Sequence, residues 1–257
     1  MIETLAPAEL PRPRNVPFDA PWNWLAAGWR DMWRTPATSL AYGALFALGA
    51  LILAIGFARY QAHALFFALA GGFLLIGPFA AVGLYESSRR LAAEKSVSLG
   101  DMLRAAVSAP GQLSFFGVLL LLVALIWLRI AFLLLMLFLG THVIPPPEEF
   151  MRVLLFTPHG LSLLVLGTIV GGALATLVFS GSVVAVPLLL DRQTDAITAG
   201  RASVAAVIAN PAAMALWAAL IVALMAAGFA TLLIGLVVAF PLIGHATWHA
   251  YQDIYGS

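Results

Sequence analysis

The sequence predicts an all-α membrane protein: six transmembrane helices arranged as three helical hairpins, each preceded by a short interfacial amphipathic helix. Three observations carry this. Hydrophobic residues fill 62% of the 257 positions and charged residues 10%, with mean hydropathy +0.99; a soluble domain carries about 25% charged residues. The apolar residues gather into stretches that can cross a ~30 Å hydrocarbon core, which takes ~20 residues. The basic residues collect on one side of those stretches. A cytosolic enzyme, a nucleic-acid-binding domain and a disordered chain are excluded by this composition. Cysteine is absent, which removes disulfides, thiolate metal sites and cysteine nucleophiles.

In chain order, residues 1–19 read as a disordered cytoplasmic tail without the apolar run of a cleavable signal, and 20–257 as one six-helix membrane domain. The first spans are Ser39 to Phe57 and Ala64 to Tyr85. Leu113 to Leu139 and Leu161 to Leu190 follow. Ala212 to Tyr251 holds two more, divided by a turn near Gly228 to Gly235. No glycine or proline interrupts Val118 to Leu139, so one continuous helix is the preferred reading. The rival reading ends that span at Trp127 and Arg129 and makes 130–140 re-entrant. After it comes an amphipathic segment, Glu148 to Phe156, on the outer surface.

Arg12, Arg14, Arg30, Arg34, Arg89, Arg90, Lys95, Arg104, Arg192 and Arg201 lie on one side of these spans, and only Arg59 and Arg152 on the other. Lys/Arg excess marks the cytoplasmic face, so both termini are expected in the cytoplasm and the protein in a bacterial inner membrane.

A threefold repeat organises the chain, with units of about 20–90, 96–192 and 194–255. Each begins with a short helix ending just before Pro36, Pro110 or Pro211, where proline fits the first turn of the following span. Apolar residues recur at helical spacing in these runs: Trp22, Leu25, Trp29 and Trp33; Met102, Leu103, Ala106 and Val107; Ile197, Val204, Val207 and Ile208. Arginines on the other faces give the pattern of a helix lying in the interface. The second span of each unit also holds a proline, Pro78, Pro187 or Pro241, which should kink it.

Few residues could carry chemistry. His245 and His249, at i and i+4 on the last span, project from one face and suit two ligands of one copper or zinc ion. Haem is disfavoured, because its axial ligands approach from opposite sides of the ring. A third ligand would come from Asp191 or Glu86, which convergence of the three units could bring to the same end. The alternative is an interfacial belt shared with Trp248 and Tyr251. Arg129 is the one cation inside an apolar run, either a functional charge or a side chain that snorkels to the headgroups. His142, Glu148, Glu149, Arg152 and His159 form an outer cluster without metal-site spacing, and His63 stands alone. Glycines beside Pro78, and Gly167 and Gly171, allow either close helix packing or a broken-helix ion site. No nucleotide loop, serine elbow or zinc-protease motif occurs.

Three stretches carry a resemblance: Pro36 to Gly43, Gly77 to Arg90 and Gly244 to Tyr251. With them the chain, over roughly 20–255, resembles a bacterial family of predicted integral membrane proteins of unknown function, some members of which are labelled putative cytochrome c oxidase subunit. Catalytic oxidase subunits resemble a twelve-helix bundle with six histidine ligands, whereas this chain has five histidines. The resemblance therefore implies no such catalytic role.

Three functions compete. A non-enzymatic accessory, assembly or scaffold component of a larger membrane complex, a respiratory one included, leads because no complete catalytic constellation is present. A transporter or channel for a small solute or metal would use the kinked spans and the histidine pair. A membrane enzyme acting on a lipid or quinone would need Glu86, Asp191 and the histidines in one pocket. The expected partners are the lipid bilayer and a membrane-protein complex, with no nucleic acid.

Overall fold

The computed structural model describes residues 12–59, 66–107, 111–140 and 147–256. Among these are twelve helices and no strand: α1 (Ala20–Arg34), α2 (Pro36–Arg59), α3 (Phe66–Ala80), α4 (Val82–Ala92), α5 (Leu99–Val107), α6 (Gly111–Leu139), α7 (Pro147–Phe156), α8 (Pro158–Ser182), α9 (Ala185–Asp191), α10 (Ala196–Ala209), α11 (Pro211–Ala230) and α12 (Leu236–Tyr255). In lipid, a helix satisfies its own backbone groups, which is why so apolar a chain is helical throughout.

Five stretches are long and apolar enough to cross a membrane: Pro36–Phe57, Ala68–Ala92, Gly111–Leu139, Pro158–Asp191 and Pro211–Ala230. The expected sixth, α12, has 20 residues but is not among them. Its apolar character stops near Gly244, and from His245 onward it carries two histidines, Gln252 and Asp253, of which His245 is buried, His249 and Gln252 half-buried and Asp253 exposed. The third apolar segment is one helix of 29 residues, about 43 Å at 1.5 Å per residue. The re-entrant alternative for 130–140 is therefore set aside.

The prolines act unequally. Pro36 and Pro211 open α2 and α11, as their missing N–H allows. Pro110, like His63 and His142, lies outside the described residues. Pro78 sits inside α3, whose helical run breaks at Ala81; the break before α9 falls at Val183 and Val184, the turn that the Pro187 ring would crowd. Pro241 sits inside an unbroken α12.

The chain divides into two compact units. One comprises Met1–Ala47, Pro78–Gly117 and Phe179–Ser257. Within it α4, α9 and α12 touch one another, while α1 rests on α12, α5 on α4 and α10 on α9. Glycines permit the closest approaches. A Cβ on Gly28 would lie 2.6 Å from the Ala246 nitrogen, and one on Gly43 2.4 Å from the Val237 carbonyl oxygen. The first half of α12 thus lies against α2 and the second half against α1. The tail expected to be loose is tied down where it is described. Arg14 N–H donates to the Ile254 carbonyl at 3.1 Å, and Val16 N–H to Asn210 Oδ1 at 2.8 Å.

The other unit comprises Leu48–Gly77 and Val118–Val178. Here Trp127 packs between helices. Its indole N–H donates to the Ala68 carbonyl at 2.7 Å, and its ring lies against Gly71 and Gly171. These glycines serve helix packing. The amphipathic α7 buries Phe150 and Leu154 against Leu135.

Candidate functional site: a buried serine–histidine–aspartate chain

His245 has no exposed surface. Gly244 beside it lets α12 close onto Leu84 of α4, which brings the imidazole between two serines. Ser39 Oγ of α2 lies 2.9 Å from Nε2, and Ser88 Oγ of α4 lies 2.8 Å from Nδ1. Ser88 also bonds Asp31 Oδ2 of α1 at 2.8 Å. A carboxylate only accepts, so the single Ser88 proton goes to Asp31, and Ser88 must accept from His245. The neutral ring is thereby assigned as the Nδ1–H tautomer, with Nε2 accepting from Ser39. His249, one turn further along α12, donates from Nε2 to the same Asp31 oxygen at 2.8 Å. Thr35, in the break between α1 and α2, lies 3.1 Å from Ser39 through its hydroxyl.

Asp31 is the only carboxylate in this chain of bonds. Burial pushes its carboxyl up, but hydrogen bonds from His249 and Ser88, and the charge of His249, outweigh that and hold it below the ordinary 3.8.

The sequence-predicted residues separate. His245 and His249 share the network, but both nitrogens of His245 and Nε2 of His249 are engaged by Ser39, Ser88 and Asp31. Neither proposed third ligand joins them. Glu86 accepts from Arg89 at 2.8 Å and Arg90 at 2.9 Å, and Asp191 accepts from the Tyr251 hydroxyl at 2.6 Å. Among the described residues no three His, Asp or Glu side chains gather as a metal site. Glu149, Arg152 and His159 are exposed, and His159 lies on α8. Arg129 is exposed on α6 and forms no ion pair among the described residues.

Sequence reasoning missed Ser39, Ser88 and Asp31. The available signal was on α1, where Trp24, Gly28 and Asp31 recur at helical spacing and form its buried face. An acid on a face with a tryptophan and a glycine needs a partner. The order serine, histidine, acid is that of an acyl-transfer site, here with a second serine interposed. Ser39, however, is fully buried, with no open approach for a substrate.

All of these residues sit on or beside helices of a membrane protein. Residues 65–191 match the family described as predicted integral membrane protein (DUF2189). The match takes in α4 with Glu86 and Ser88 and extends through Asp191. It leaves out α1 and α12, and with them Asp31, His245 and His249. No curated protein and no solved structure matches the chain.

Proposed function

We propose that the chain is a six-span protein of a bacterial inner membrane, with both ends in the cytoplasm, acting as a non-enzymatic scaffold or assembly component of a larger membrane complex. The observation that carries the non-enzymatic reading is the closure of the polar site. Ser39 and His245 are fully buried, and each polar group in the chain from Ser39 to His249 has a bonded neighbour. Such a chain holds α1, α2, α4 and α12 together and engages both nitrogens of the buried His245 in doing so.

The span count has a topological argument. Five crossings would leave the ends on opposite sides of the bilayer, yet Arg14 bonds Ile254. An even number fits that bond better, which favours α12 as the return span with His245 buried in protein. The excess of arginine flanking the spans on the side of both ends favours the cytoplasm. The cyclic packing of α1 on α12, α5 on α4 and α10 on α9 supports three repeated hairpin units, each lending its leading helix to the preceding unit.

The test is native-gel mobility and subunit stoichiometry after extraction in mild detergent, with metal analysis of the same sample. A second polypeptide held in fixed ratio with the 27.2 kDa chain is the expected result. A chain that runs alone and moves solute in vesicles overturns the reading. Stoichiometric copper or zinc lost in the His245→Ala/His249→Ala double variant overturns it too.

A further inference from the structure

The leading helices carry bulky apolar side chains on their outward faces. On α1 the buried face is Trp24, Gly28, Asp31 and Met32, while Trp22, Trp29 and Trp33 stay 56%, 46% and 52% exposed. The register repeats. Three residues before Pro36, Pro110 and Pro211 stand Trp33, Val107 and Ile208; seven before stand Trp29, Leu103 and Val204, and all six are exposed. Exposed apolar side chains at matching positions in three helices, each joined within a few residues to a span, ask for an apolar layer at the membrane boundary. On α1 that layer has a charge requirement as well. Arg30 and Arg34 are both exposed beside the tryptophan stripe, and one residue, Thr35, separates Arg34 from the start of the first span. Trp29 and Trp33 meet edge to face at 5.6 Å, a rigid aromatic wedge next to two guanidinium groups.

We propose that the outward face of α1 is a docking surface for anionic phospholipid, with Trp22, Trp29 and Trp33 seated at the acyl–headgroup boundary and Arg30 and Arg34 bound to lipid phosphates. Tryptophan takes that depth because its ring is apolar and its N–H is polar. Guanidinium binds phosphate through paired N–H bonds. A basic residue near an anionic surface contributes about a fivefold preference, so two together give up to roughly thirtyfold. The outward stripes of α5 and α10 have Arg104 and Arg201 on their own helices but no tryptophan, which makes α1 the headgroup-selective member. This goes beyond the scaffold reading and does not depend on it.

The experiment uses the full chain in vesicles. The native sequence has no cysteine, so Ala26→Cys, exposed one turn from Trp29 and Arg30, carries a unique bimane label while every proposed lipid contact stays intact. Quenching is measured with dibrominated phosphatidylcholine and with dibrominated phosphatidylglycerol. Both lipids should quench, the anionic one with the higher relative association, and Arg30→Gln/Arg34→Gln should lower that preference several-fold without abolishing quenching by phosphatidylcholine. If iodide reaches the label and neither lipid does, the face is in water and the proposal fails. A label shielded from both lipids and iodide means a protein covers the face, which also overturns it. Equal quenching by the two lipids, unchanged in the arginine variant, overturns the headgroup preference. Native-gel stoichiometry is read separately, so either proposal can fail alone.

Discussion

Two neighbouring serines on α4 should respond oppositely to the same deletion. Ser88→Ala removes one oxygen, and two bonds go with it. His245 Nδ1–H, fully buried, loses its acceptor, which costs about 1–3 kcal/mol. Asp31 loses one of the two side-chain donors on Oδ2, a bond to a charged group worth about 1.5–3 kcal/mol. Both effects pass through one atom and relax together, so the net loss is about 2–5 kcal/mol instead of the full sum. Ser87 is equally buried, but its hydroxyl has no hydrogen-bond partner among the described residues. Ser87→Ala removes a polar atom that only costs desolvation, and its effect should lie between neutral and about 1 kcal/mol stabilising. The assay is equilibrium unfolding of both variants in mixed micelles with increasing SDS, followed by tryptophan fluorescence. Equal effects for the two serines, or a larger loss at Ser87, would refute the assignment of Ser88 as the hub of the network.

Asp31→Asn should be less stable than the native chain at neutral pH. Because the folded carboxyl titrates below its ordinary 3.8, its contribution is complete above that value and disappears as pH falls through the folded one. The gap between variant and native unfolding midpoints should therefore close on acidification below about pH 4. Gly28→Ala should cost about 1–3 kcal/mol, since the new Cβ meets the Ala246 backbone. Gly49→Ala, with nothing within 4 Å, should be neutral or stabilising by up to about 1 kcal/mol. Thermal midpoints in detergent separate the pair. Trp127→Phe should cost about 1 kcal/mol for the bond to the Ala68 carbonyl, and Trp127→Ala about 3–5 kcal/mol with a cavity between Gly71 and Gly171. Steady-state unfolding of both variants tests the ranking.

Helix content and most span positions were legible because apolar length reports directly on the solvent a helix crosses, and proline and glycine mark where it can begin or bend. The α6 helix followed from the lack of any breaker between Val118 and Leu139. The expected sixth span was less legible, and α12 is not among the five stretches long and apolar enough to cross a membrane. Hydropathy averages the whole of α12, while burial against α1, α4 and α9 decides whether its polar half can be tolerated. At the site, the i, i+4 spacing of His245 and His249 was readable, and it suggested a metal. In the structure both nitrogens of His245 and Nε2 of His249 meet Ser39, Ser88 and Asp31, residues 157 to 218 positions away.

The sequence by itself determined an all-helical chain with stretches apolar enough to cross a membrane, and the proline-marked starts of α2 and α11. These depend on local composition and on the bilayer, and neither needs knowledge of which helix neighbours which. Tertiary structure alone decided that α12 closes on α1 through Gly28 and on α4 through Gly244, and that serines from α2 and α4 reach one imidazole. Partner choice for a buried polar group depends on distances between segments remote in sequence, and local composition does not encode them.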